Sequence, residues 1–164
     1  MKRITGQDLE MHMPFFLAAA IEAKQATCKR ARCGSVIVNN GKVLGTGYNS
    51  PPQNKESQRT CNHDWDTSKK PKYDLTCCVH AEWRAVINAC KSGAELDGAT
   101  LYFMRINQDG DFTDAGVPYC TTCSRLTMEA GVSNFALWNQ DGADLYKTDE
   151  YNEQSYAYFR KDKS

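Results

Sequence analysis

Apolar positions along the chain change period several times, and each change predicts an element. From Pro14 to Lys29 the run PFFLAAAIEAKQATCK is rich in strong helix formers, has Pro near its first turn and lacks internal Gly, which predicts a helix. Ser35-Val36-Ile37-Val38 is a short β-branched run, and Asn40-Gly41 separates it from Lys42-Val43-Leu44. Asn-Gly supplies the two positive-φ positions of a tight hairpin turn, so two antiparallel strands are expected. The polar stretch from Ser50 to Thr76, with Pro51-Pro52 and Pro71, reads as a long loop. After it, Trp83, Val86, Ile87 and Cys90 share one helical face between His80 and Cys90, and Gly93 is suited to ending that helix. Thr100 to Met104 and Phe135 to Trp138 read as strands. Between them lie a Gly- and Asp-rich loop, Asn107 to Val117, and a helix from Cys120 to Ala130 stopped by Gly131. The Tyr-bearing tail from Asp144 onward suggests a last helix, with a frayed end over 160–164.

The resulting αββαβαβ order predicts an α/β fold in which a mixed sheet is covered by helices. Residues 1–164 form one domain with an inserted loop at about 50–77. Trp83, Tyr102, Phe103 and Trp138 are assigned to the core because each sits on a strand or on the apolar helix face, and His12 is expected at the surface.

Charge then narrows the function classes. Twenty Lys and Arg balance twenty Asp and Glu. A chain that holds long nucleic acid by bulk electrostatics needs a cationic excess, so such a partner is disfavoured, whereas a small anionic ligand is not. No apolar run approaches the roughly 18 to 20 residues that cross a bilayer, and no export signal is visible, so a reducing cytoplasm is the expected compartment. There, eight cysteines suit metal ligation better than structural bridges.

Position sorts those cysteines. Cys120-Thr121-Thr122-Cys123 sets two sulfurs on one side of a helix start, and His80-Ala81-Glu82 opens the preceding helix. One imidazole and two thiolates leave a fourth tetrahedral position open, the arrangement of catalytic rather than structural zinc. Zinc lowers the pKa of water toward about 7, and Glu82 is the carboxylate placed to move the proton. A His-x-Glu paired with a later Cys-x-x-Cys is the signature of zinc nucleobase deaminases.

On these residues the segment from Pro14 to Trp138 resembles the cytidine deaminase-like superfamily, and Gly45-Thr46-Gly47-Tyr48-Asn49-Ser50-Pro51 with the long loop is most similar to phage-type deoxycytidylate (dCMP) deaminases. The resemblance implies a three-layer fold and hydrolysis of dCMP to dUMP and ammonia. It implies zinc on His80, Cys120 and Cys123, Glu82 as proton shuttle, and the backbone amides of Ala81 and Cys120 orienting the attacking group. It further implies substrate contacts from Asn49, with Lys91 and the weaker candidates Arg30 and Arg32 near the phosphate. A second, structural zinc would take Cys28, Cys61 and Cys78, with His63 or Cys77 as fourth ligand, leaving Cys33 and Cys90 to the core. A homo-oligomer and a nucleotide effector such as dCTP are implied as well. The chain departs from the family where Tyr119, not Pro, directly precedes Cys120. Two other functions share the motifs: deamination of a base within tRNA or single-stranded DNA, and a non-catalytic zinc or nucleotide-binding module.

Overall fold

The computed structural model describes residues 1–61, 63–66, 68, 78–140 and 142–157. In chain order the elements are β1 (Lys2–Ile4), α1 (Gly6–Lys24), β2 (Arg32–Asn39) and β3 (Lys42–Tyr48). Two 3-10 turns follow (Pro52–Asn54 and Glu56–Gln58), then α2 (Ala81–Lys91), β4 (Thr100–Ile106) and β5 (Phe112–Thr113). The chain continues through α3 (Thr121–Glu129), β6 (Asn134–Asn139), β7 (Gly142–Lys147) and α4 (Thr148–Ala157). The strands form one mixed sheet in the order β1-β7-β6-β4-β2-β3, with β5 paired to β4. Only β4 and β6 run parallel, joined through α3, and the other named pairs are antiparallel.

Strand alternation divides the core between the two faces of the sheet. Val36, Val38, Tyr102, Met104, Ile106 and Trp138 meet Phe16, Ala19, Ala20 and Ala23 of α1 on one face. Ile37, Leu101, Phe135 and Leu137 meet Ala85, Val86 and Ala89 of α2 on the other, where α4 adds Tyr151 stacked on Phe135. Helices therefore cover both faces in three layers, as expected. The hairpin turn is also as read: Asn40 and Gly41 have φ of 49° and 75°.

Several expectations need correction. The first helix starts at Gly6 rather than Pro14 and stops at Lys24 rather than Lys29. Pro14 lies inside it, where burial of Leu9 and Met13 before it and Phe16 after it outweighs one missing backbone hydrogen bond. Its end is set by Arg32, whose guanidinium caps the Lys24 carbonyl. The unexpected strands β1 and β7 pair with each other, and β5 occupies part of the expected loop at 107–117. The last helix begins at Thr148, after β7 has used Asp144 to Lys147.

The buried face of α2 is rotated from the one predicted. Ala81, Glu82, Ala85, Val86 and Ala89 are buried, Trp83 is half-buried, and Ile87 and Cys90 are exposed. The cause is β3: a Cβ on Gly45 or Gly47 would fall 2.4 Å from the backbone oxygen of Ala85 or Ala81. The helix backbone rests directly on the strand, so only small residues fit beneath it. His12 is half-buried, with its Nδ1 2.7 Å from the Tyr102 hydroxyl, rather than free at the surface. Tyr102 and Trp138 are buried, Phe103 is half-buried against the α2-side cluster, and Cys33 is half-buried. The expected fraying over 160–164 lies outside the described residues.

Candidate metal and catalytic site

The two helix starts that carry the motifs converge. His80 is the N-cap of α2 with extended backbone, held there because Val79 and Ser50 exchange two backbone hydrogen bonds of 2.9 and 3.4 Å. Arg84, one turn into α2, donates to Ser50 Oγ at 2.7 Å and lies 5.1 Å over the Tyr48 ring, fastening the end of β3 to the same helix. Cys120 is the N-cap of α3, its sulfur accepting from the Cys123 N–H at 3.3 Å. Upstream of it the loop is tied down: Ala115 N–H donates to Trp138 O at 2.9 Å, and Gly116 exchanges hydrogen bonds of 2.7 and 2.8 Å with the Asn139 amide.

His80 Nδ1 lies 3.0 Å from Cys123 Sγ and 3.4 Å from Cys120 Sγ, and the three ligand atoms all lie within 4.8 Å of one another. Among the described residues this is the one group of three or more such side chains that converges so closely. Zinc with bonds of about 2.0 Å to nitrogen and 2.3 Å to sulfur would separate its ligands by about 3.5 Å, so the donor set fits this ion. Hydrogen bonding from Cys123, then from His80, brings the Cys120 thiol down to about 4, while the same contact with Cys120 lifts His80 to about 9. Burial holds Cys123 well above the ordinary thiol value.

Glu82 is 6% exposed, and burial raises its pKa against the opposing charge of His80. A dry carboxyl held above its ordinary range is suited to taking up a proton and giving it back. Ala81 is fully buried at the first turn of α2, where backbone N–H groups lack helical partners. The Trp83 ring lies 5.6 Å from His80, and its buried Nε1 has no hydrogen-bond partner among the described residues.

Other expected site residues are placed less simply. Asn49 is buried at the end of β3; its Oδ1 accepts from Cys33 N–H at 2.9 Å and its Nδ2 donates to Ala31 O at 2.8 Å. One N–H and one lone pair of that amide are left for a ligand. Lys91 stands at the far end of α2, nine residues or about 13.5 Å along the axis from Glu82, so one chain does not bring it to the site. Arg32 shares the face of β2 that meets α1, and its guanidinium bonds the carbonyls of Lys24 and Gln108. Tyr119 is exposed, and the fully buried proline of the segment is Pro118, one position earlier than the family pattern. Arg84 escaped the sequence reading because its partners, Ser50 and Tyr48, lie 34 or more residues away.

The expected second metal set is partly assembled. The Cys28 and Cys78 side chains are hydrogen-bonded, which brings the Cys28 thiol down to about 5. Arg59 links the Thr27 carbonyl, at 3.0 Å, to Cys61 Sγ, at 3.8 Å, while His63 stands beside the Trp65 ring. Cys77 lies outside the described residues.

Comparison with known proteins gives the family of the chain. Residues 9–138 match the family model described as the cytidine and deoxycytidylate deaminase zinc-binding region. Over 125 residues the chain is 31% identical to a deoxycytidylate deaminase of Mycobacterium phage D29, covering 72% of this chain and 87% of the relative. It is 27% identical over 128 residues to a deoxycytidylate deaminase of Schizosaccharomyces pombe, spanning 75% of this chain but only 34% of that relative's length. The dCMP deaminase of cyanophage S-TIM5, solved in complex with dCMP and dUMP, superposes with a TM-score of 0.55 at 22% identity, over 77% of this chain and 79% of that one. A cytidine deaminase from Burkholderia pseudomallei superposes with a TM-score of 0.59 at 19% identity, over 85% and 94%. Both likenesses concern the fold, while the family-model match spans the helix starts on which His80, Glu82, Cys120 and Cys123 sit, and the chain belongs to the cytidine and deoxycytidylate deaminase zinc-binding family.

Proposed function

We propose that the protein hydrolyses dCMP to dUMP and ammonia. The observation that carries this reading is a dry carboxyl, Glu82, two residues from the metal ligand His80 and beside the converging pair Cys120 and Cys123. Zinc held by these three side chains would act as a Lewis acid that makes water nucleophilic at neutral pH. Glu82 would take the proton of that water, give it to ring N3, and serve the departing ammonia in turn. Backbone N–H groups at Ala81 and Cys120 would orient the attacking group, and the remaining valences of Asn49 would meet the substrate edge.

Ammonia release is the direct test, screened across dCMP, deoxycytidine, cytidine and purine nucleotides. Preference for dCMP is expected; no release from any cytosine compound overturns the reading. A salt-sensitive complex with an oligonucleotide and no turnover of dCMP would assign the protein to nucleic-acid bases instead. Metal analysis of the purified protein should find zinc at one ion per chain, or at two if Cys28, Cys78 and Cys61 hold a second with His63 or Cys77. A homo-oligomer, a dCTP effector and a cytoplasmic location belong to the same proposal.

A further inference from the structure

The last helix packs where the Cys-x-x-Cys motif begins, although no motif points to it. α4 covers α3: the fully buried Ser124 hydroxyl lies 2.8 Å from Asn152 Oδ1 and 3.3 Å from Ser155 Oγ. Tyr151, on the same helix, is 4% exposed. Its ring is fixed from two sides, stacked on Phe135 at 4.0 Å and edge-on to Tyr146 at 5.8 Å. From this position the hydroxyl reaches the loop before α3 and accepts a hydrogen bond from the Tyr119 backbone N–H. Burial, then the charges of Glu82 and Cys123, raise the pKa of the phenol well above its ordinary value, so the acceptor is a neutral hydroxyl.

That N–H belongs to the residue joined directly to Cys120. Two other ties of this loop, from Ala115 to Trp138 and from Gly116 to Asn139, act five and four residues earlier. The Tyr119 side chain is exposed, so what the residue gives to the interior is its amide. Proline at this position, as in the family pattern, has no N–H to satisfy. Tyrosine instead brings a donor beside the buried groups Tyr151, Glu82 and Cys123, and a donor kept from water needs an acceptor. Tyr151 supplies it. Helix α4 lies beyond residues 9–138, so the acceptor comes from outside the segment that matches the family model.

We propose that Tyr151 is a positioning residue for the metal centre: its hydroxyl holds the Tyr119 amide and, through the peptide that joins Tyr119 to Cys120, fixes the direction in which Cys120 presents its sulfur. The inference rests on the reading of His80, Cys120 and Cys123 as the zinc ligands. Tyr151 acts on the ion only through Cys120, so removing its hydroxyl loosens a ligand without removing one.

A double-mutant cycle on the full-length protein tests it, read as zinc affinity in competition with a chromogenic chelator. Tyr151→Phe keeps the ring and its stack and removes only the acceptor, and zinc affinity should fall roughly 10-fold. In a Tyr119→Pro background, which has no N–H to hold, the same change should alter affinity by less than about 2-fold. A merely structural role of the ring predicts wild-type affinity for Tyr151→Phe, and an effect of the hydroxyl unrelated to Tyr119 predicts the same loss in both backgrounds; either result overturns the proposal. Amide hydrogen exchange of the metal-free protein reads the bond without zinc and without the proline. Exchange at Tyr119 should accelerate in Tyr151→Phe, and an unchanged rate overturns the proposal. Loss of affinity that Tyr119→Pro suppresses, in a protein that releases no ammonia from any cytosine compound, would support the positioning role and sink the deaminase reading alone.

Discussion

Glu82, which is buried, and His12, which is half-buried, are both titratable, and they lead to different consequences. Glu82 is not counted among the metal ligands, so Glu82→Ala should keep its zinc by metal analysis while ammonia release drops by about 10² to 10⁴, the range for losing a positioned acid–base group. Comparable turnover in the two proteins would remove Glu82 from the chemistry. His12 has its pKa lowered, first by burial and then by the nearby Lys2 charge, against a smaller opposing effect of Asp8. Its neutral ring faces the Tyr102 hydroxyl, which burial keeps protonated to about 12. Because the folded pKa lies below the unfolded value of 6.5, stability is unaffected by this group above 6.5 and falls as pH drops through the folded pKa. Thermal midpoints measured from pH 7.5 to 5 should therefore decline more steeply in wild type than in His12→Gln, and parallel declines would show that His12 is not the group responsible. The convergence of His80, Cys120 and Cys123 was legible because short motifs mark them at helix starts. The setting of His12 was not, since the tyrosine it faces lies 90 positions away.

Close packing of α2 against β3 explains both where the zinc-site helix sits and why its buried face was misread. Size and hydropathy pointed to Trp83, Val86, Ile87 and Cys90, yet the strand selects the alanine face because Gly45 and Gly47 bring the two backbones together. The alternate glycines, read with Ala81, Ala85 and Ala89, were a signal of that contact in the sequence itself. Gly47→Ala would set a Cβ 2.4 Å from Ala81 O and 2.5 Å from Ala85 N, backbone atoms that cannot turn aside. The helix start carrying His80 must then lift. Loss of about 1–3 kcal/mol in denaturant titrations is expected, with weakened zinc retention, whereas the solvent-facing Gly41 turn should not couple to the metal. An unchanged midpoint and zinc content in Gly47→Ala would mean that the helix does not rest on the strand as described. The αββαβαβ frame was readable because each of its elements has a local period of its own. Strands β1 and β5, with three and two residues, are too short for any period to show, and β7 is announced only by its partners.

Closure of the sheet depends on contacts between opposite ends of the chain. β1 pairs with β7 in the register Lys2 to Leu145, Arg3 to Asp144 and Ile4 to Ala143, and the sheet order runs from this edge through β6 and β4 to the zinc-bearing half. Arg3 is the fastener. It donates to Asp144 Oδ1 at 3.1 Å and to the carbonyls of Asn139 and Gln140 at 2.6 and 2.8 Å, so one side chain joins β1 to the hairpin that turns β6 into β7. Nothing in a window of neighbouring residues encodes an interaction 136 to 141 positions long, which is why the sequence reading left this edge open. Replacing Arg3 with Ala removes these bonds and leaves the fully buried Ile4 to hold β1. The ion pair is partly solvated and contributes little by itself, so the cost should be about 1–2 kcal/mol, mainly from the two carbonyl contacts. Since the affected edge lies at the opposite side of the sheet from β2 and β3, amide hydrogen exchange should accelerate in β1 and β7 while β2 and β3 stay protected and zinc content is unchanged. Acceleration spread evenly over the sheet would instead mean that the two ends unfold as one cooperative unit, with Arg3 a surface charge of no special place.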